Sequence, residues 1–162
     1  MSDTLADDSL RALYQRPGFM LRRAHQIATS IFLDASAPLG VTTTQYGVLT
    51  LLSAAPGSDQ ITVARRLGLD RSTTGTVLRI LEEGGYVRRV VGPDRRRRLL
   101  ELTEAGQTRL KSLDRPAADA LHRLMEPLTA EEAETLQHLL LKLTLAHNET
   151  SRVPLMGIAN DR

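Results

Sequence analysis

The chain of 162 residues contains no cysteine. That excludes disulfides, thiolate metal sites, cysteine nucleophiles and thiol-oxidation switches. Aromatic residues make up only 3% of the sequence, so Leu, Ala, Val and Ile carry most of an apolar content of 41%. Such a composition favours helix packed on helix over an aromatic-rich β fold. No apolar run reaches the ~18 residues that a membrane span requires. Residues 1–8 are acidic and lack the basic-then-apolar pattern of a secretory signal. The four histidines, His25, His122, His138 and His147, show no metal-ligand spacing. Neither a glycine-rich phosphate loop nor a nucleophile elbow is present. The expectation is a soluble, cytoplasmic, single-domain protein with a sizeable core, no cofactor, no metal and no enzymatic activity.

Net charge is small overall but concentrated locally. The formal net charge is +2. Residues 65–98 hold ten arginines against Asp70, Glu82, Glu83 and Asp94, a net of +6, which leaves −4 for the remainder. A basic segment within an otherwise acidic chain is the electrostatic footprint of a nucleic-acid-binding module.

Apolar periodicity predicts helices. One runs from Phe19 through Ala24, Ile27, Ala28 and Ile31 and stops near Pro38-Leu39-Gly40. Thr42, Thr43 or Thr44 can cap the next, which carries Tyr46, Leu49 and Leu52. Asp59 can cap a short third helix that ends at Gly68, and Asp70 a fourth that ends at Gly84-Gly85. Thr103 opens a fifth helix, expected to break or kink at Pro116. Thr129 and Glu132 have capping-box spacing ahead of a leucine-rich sixth helix. Residues 1–15 read as a flexible arm in which Leu10, Leu13 and Tyr14 could dock locally, and residues 148–162 as a tail.

Residues 59–81 have helix-turn-helix form. In this motif the N-terminal part of the second helix enters the major groove. Here it supplies short donors and acceptors with arginine, the side chains suited to base edges. Arg71, Ser72, Thr73, Gly75, Thr76 and Arg79 face outward on this period, and Thr74 faces inward. Gly75 is expensive in a helix interior. Either it allows close approach to DNA or it is a neutral change on an exposed face.

A basic hairpin follows at once. Two β-like runs flank Gly92-Pro93-Asp94, and Arg88, Arg89, Arg95, Arg96, Arg97 and Arg98 crowd it. Placed after a helix-turn-helix, it reads as a DNA-gripping wing. An arginine in the minor groove would read its negative potential, with Asp94 orienting one guanidinium. The other arginines would neutralise phosphates, making affinity fall steeply with salt.

The run Leu67-Gly-Leu-Asp-Arg-Ser-Thr-Thr, then Leu81-Glu-Glu-Gly-Gly-Tyr-Val, then Asp94-Arg-Arg, then Leu102-Thr-Glu-Ala-Gly resembles the MarR family of bacterial transcriptional regulators. Its wing motif Asp-x-Arg falls on Asp94 and Arg96, and the similarity extends over roughly residues 15–147. The resemblance implies a mainly α fold with a small β-hairpin wing. The winged helix-turn-helix would span residues 41–103, and residues 16–40 and 104–147 would form a helical dimerisation region. It also implies a homodimer on a pseudo-palindromic operator, with recognition helices roughly 34 Å apart. Repression would be relieved by a small phenolic or aromatic carboxylate effector. The four-arginine wing and Gly75 depart from the family pattern.

Leu136, Leu139, Leu140, Leu143 and Leu145 independently favour a dimer, since they offer more apolar surface than a small domain easily covers. An aromatic acid needs a cation or imidazole and an apolar wall. Arg22, His25 and Tyr46, on helices that line the pocket in the family, are the candidates. The opening from Arg16 to His25 is similar to that of regulators of aromatic or N-heteroaromatic acid breakdown. Two alternatives stay open: an architectural DNA-binding protein without an effector, and an activator rather than a repressor.

Overall fold

Side-chain caps set where the helices begin. The structure, a computed structural model, describes residues 2–92 and 97–157, with side chains from Asp8 onward. The Thr42 hydroxyl accepts from the Gln45 amide, and the Gln45 side chain accepts from the Thr42 amide, a complete capping box for α3 (Thr43–Ala54). Asp59 accepts from the Thr62 amide and opens α4 (Gln60–Leu67). Asp70 accepts from the Thr73 amide and opens α5 (Arg71–Glu83). Thr103 caps α6 (Glu104–Met125), and Thr129 with Glu132 boxes the start of α7 (Ala130–Ala146). Each such cap contributes about 1 kcal/mol by satisfying an amide that has no partner within its helix. Gly68 ends α4 at φ 64°, a left-handed conformation that favours glycine.

The wing forms as expected. Strands β2 (Val87–Val91) and β3 (Arg98–Leu102) pair antiparallel, with Val87 opposite Leu102 and Val91 opposite Arg98. A two-residue strand, β1 (Ser58–Asp59), was not expected from the sequence; it pairs with the outer side of β3 and gives the order β1-β3-β2. The tip of the wing, with Asp94, Arg95 and Arg96, lies outside the described residues.

The core lies beneath the helix-turn-helix. Val48, Leu49 and Leu52 of α3, Val63 of α4, Leu78 and Leu81 of α5, Leu100 of β3 and Leu113 of α6 bury their side chains together. A fully buried side chain of this kind contributes about 1.5–3 kcal/mol. Helix α2 (Pro17–Ala35) packs chiefly along α6. Arg109 of α6 donates to the Leu39 carbonyl, its guanidinium 5.3 Å from the Tyr86 ring centre. That side chain ties α6 both to the chain entering α3 and to the base of the wing.

Three expectations change. Residues 1–15 are not a structureless arm: Ser2–Tyr14 forms helix α1, which meets α2 through a Tyr14–Phe19 ring contact at 5.2 Å. Pro116 does not break its helix, which continues from Glu104 to Met125. Proline's φ suits a helix and costs it one amide donor, and packing of α6 against α2 and α3 supports the helix through that point. The tail is not free of the body either. The Met156 amide donates to the Arg65 carbonyl at 2.9 Å, and Leu155 reaches the Gly68 turn.

Helix α7 buries none of its residues. Apolar side chains of α1 and α2 are exposed as well, among them Leu13, Met20, Leu21 and Ile27. Among the described residues no helix is long and apolar enough to cross a membrane.

Candidate nucleic-acid interface

The Asp70 cap organises the start of α5. Its carboxylate accepts from both the Thr73 amide and the Thr73 hydroxyl, each at 2.8 Å. Those bonds hold the Asp70 carboxyl below its ordinary range, chiefly through the Thr73 amide and then its hydroxyl. Thr74 turns inward at 0% exposure, and its hydroxyl donates to the Asp70 carbonyl. The outward face is then left to polar residues. Arg71, Ser72, Gly75, Thr76 and Arg79, with Gln60 of α4, line a shallow concavity of about 590 Å³.

That concavity gathers five of the six residues expected on the recognition helix. Thr73 is exposed but does not line it, because its hydroxyl is committed to the cap. Gln60 was missed. Its signal was available, since it stands at the first helical position of the motif's first helix. A Cβ at Gly75 would meet only the Gln60 side-chain nitrogen, at an ordinary 3.6 Å. The fold itself therefore does not require glycine there. Arg79 pairs with Glu83 at 2.8 Å on the exposed face, a contact that a phosphate could replace at little cost.

In the wing, local acids hold several arginines. Arg88 pairs with Glu101 at 2.9 Å, Arg89 with Glu82 at 2.7 Å, and Arg97 with Asp59 at 2.7 Å. Arg97, expected as a DNA contact and placed beside the wing tip, also joins the wing to the cap of α4. The Arg97 guanidinium is the main reason the Asp59 carboxyl falls from 3.8 to about 2, and the Thr62 amide adds to it. Arg98 is exposed at the start of β3, on the strand face that Leu100 and Leu102 share but beyond the core they close.

A second cavity, of about 470 Å³, opens between α2, α3 and α6. His25 and Tyr46 both line it, with Phe32, Thr29, Thr43, Ala120 and Leu124. The Phe32 and Tyr46 rings lie 5.4 Å apart and form an aromatic wall. Arg22 is not among the lining residues; its guanidinium sits 4.9 Å from the centre of the Phe19 ring, one helical turn away. The α6 side of the cavity was not foreseen, because residues 117–124 meet Tyr46 only after folding. Among the described residues no group of His, Cys, Asp or Glu could hold a metal ion.

A helix-turn-helix with a polar outward face, followed directly by a basic antiparallel wing, defines a winged-helix DNA-binding regulator. Residues 39–98 match the model of the MarR family. An HTH-type transcriptional repressor of Mycobacterium tuberculosis is 33% identical over 127 residues, covering 78% of this chain and 91% of the relative. The transcriptional repressor CouR, solved bound to a 23-mer DNA duplex, is 33% identical with a TM-score of 0.77, over 82% of this chain and 94% of that one. The PcaV regulator of Streptomyces coelicolor, solved with its natural ligand, is 34% identical with a TM-score of 0.74, over 83% and 95%. The chain belongs to the MarR family and is a DNA-binding transcriptional repressor.

Proposed function

We propose that this repressor acts as a homodimer on a pseudo-palindromic operator and is released by a small aromatic acid bound between α2, α3 and α6. The observation that carries the ligand reading is the cavity with His25 at one side and the Phe32–Tyr46 wall at the other. An imidazole can pair with a carboxylate while the rings and alanines receive an aromatic body. PcaV, a relative solved with its natural ligand, shares the fold that frames this cavity. Helix α3 connects it to the reading head, because Val48, Leu49 and Leu52 pack in the same core as Leu78 and Leu81 of α5. A ligand that shifts α3 against α2 and α6 therefore moves the recognition helix.

The dimer reading rests on α7, which buries nothing within one chain, and on the exposed apolar side chains of α1 and α2. Paired reading heads suit a two-fold symmetric site. On DNA, Arg71, Ser72, Gly75, Thr76 and Arg79 meet the major groove, and wing arginines meet phosphate and minor groove, with Arg96 the groove-entering residue of the Asp-x-Arg motif.

A thermal-shift screen of aromatic and N-heteroaromatic acids, followed by operator titration with each hit, tests the ligand reading. A hit should raise the melting temperature, weaken operator binding, and lose both effects in His25→Ala. Hits that stabilise the protein equally in His25→Ala, or that leave DNA binding unchanged, place the effector elsewhere. Uniform coating of DNA with no discrete footprint would sink the operator reading.

A further inference from the structure

The last described residues return to the reading head. From the end of α7 the chain is pinned by Asn148, whose side chain donates to the Leu155 carbonyl at 3.1 Å and accepts from the Leu155 amide at 2.8 Å. The Met156 amide donates to the Arg65 carbonyl at the end of α4. Leu155 lies over the Gly68 turn, where its Cδ2 is 3.2 Å from the place a Cβ would take. Val153 closes a groove that includes Gln60, Arg65 and Arg71. Gln60 and Arg71 also line the recognition concavity, so the segment ends one side chain away from the DNA-facing surface. Arg152, the residue before Val153, is exposed.

We propose that segment 151–157 is part of the DNA-reading head, held on the helix-turn-helix by Leu155 and Met156 so that Arg152 contacts a backbone phosphate beside the recognition helix. The Arg152 charge is felt at the Asp70 cap, where it adds a minor share to the lowering of that carboxyl. With Arg65 and Arg71 it extends the basic surface past the N-terminus of α5. Leu155 is a positioning residue: it contacts the turn, not DNA. The proposal rests on α5 being the helix that reads DNA.

The test is operator affinity against salt, using the full chain and a duplex that the parent protein selects from a random-sequence pool. Removing one phosphate-neutralising side chain lowers the slope of log affinity against log salt by about 0.9. Arg152→Ala should lower it by that amount per protomer, so a fourfold rise in salt costs about 3.5-fold less affinity per protomer than in the parent. Arg152→Lys should restore the slope. Leu155→Ala should lower the slope part of the way, and adding Arg152→Ala to it should cost less than in the parent. An unchanged slope in Arg152→Ala overturns the proposal, as does a Leu155→Ala variant that loses affinity with the slope intact. If the parent selects no duplex, the DNA-reading assignment of α5 fails with it; if the parent binds and only Arg152 is silent, that assignment stands.

Discussion

Two glycines have opposite structural reasons to be glycine. A Cβ on Gly106 would overlap the Tyr86 carbonyl oxygen, because α6 starts directly against the chain entering β2. Gly106→Ala must push helix and wing apart, at a cost of about 1–3 kcal/mol as overpacking, and should lower the melting temperature. Gly75 has room for a methyl group, so Gly75→Ala should gain up to about 1 kcal/mol of helix stability. If glycine serves close approach to DNA, the same variant loses operator affinity while melting higher; equal affinity would make Gly75 a neutral residue of the face. Asp59 gives a pH prediction. Its folded carboxyl sits at about 2 against an ordinary 3.8. A depressed carboxyl stabilises the fold above its ordinary value, and that contribution is lost as pH falls through the folded value. Asp59→Asn keeps a capping side chain but removes the charge that holds Arg97. The melting advantage of the parent over Asp59→Asn should be constant near neutrality and shrink between about pH 4 and pH 2. An advantage that persists undiminished in strong acid would show that the ion pair with Arg97 contributes nothing.

Elements whose determinants are local were legible in the chain. Asp59, Asp70, Thr103 and Thr129 each cap the helix that follows them, since a cap needs only a short polar side chain and the next three residues. The hairpin and the inward turn of Thr74 were legible for the same reason, being set by period and by adjacent turns. Strand β1 was not, because a two-residue strand exists only through β3, some forty residues later. The unbroken course of α6 through Pro116 and the docking of Leu155 on Gly68 also depend on distant partners. The cavity between α2, α3 and α6 was half legible: His25 and Tyr46 sit on consecutive helices, whereas Ala117, Ala120, Leu121 and Leu124 reach them from α6. Arg22 does not line that cavity, and Phe19, three residues earlier, offers its ring to the guanidinium. The wing sharpens in the same way. On the proposed reading the Asp-x-Arg position Arg96 dominates the wing's DNA contribution, while Arg97, Arg88 and Arg89 also meet Asp59, Glu101 and Glu82. Arg96→Ala should weaken operator binding strongly and lower its salt slope, whereas Arg88→Ala should do so far less. Equal slopes for the parent and Arg96→Ala would remove Arg96 from the groove.

The molecule as one chain has its apolar surface badly distributed. The winged helix is closed around fully buried leucines, yet α7 exposes Leu136, Leu139, Leu140, Leu141 and Leu143, and α1 and α2 expose Leu13, Met20 and Ile27. Apolar surface on that scale is costly to leave in water and usually marks an association site. A second copy is the fitting cover, since two-fold pairing sets two reading heads against the two halves of a symmetric duplex. The double variant Leu139→Glu/Leu143→Glu places charge in that surface without touching the core beneath the helix-turn-helix. Its mass by light scattering should fall from dimer to monomer, while the helical circular dichroism of the winged helix persists. Operator affinity should fall with it. Linking two binding modules raises avidity by about 10²–10⁴-fold over either alone, and the monomer forfeits that gain. The effector response should weaken too, because the walls of its cavity, α2 and α6, belong to the region that pairing holds rigid. A variant that stays dimeric with its leucines replaced would move the interface off α7. One that turns monomeric yet binds the full operator as tightly as the parent would show that a single reading head suffices.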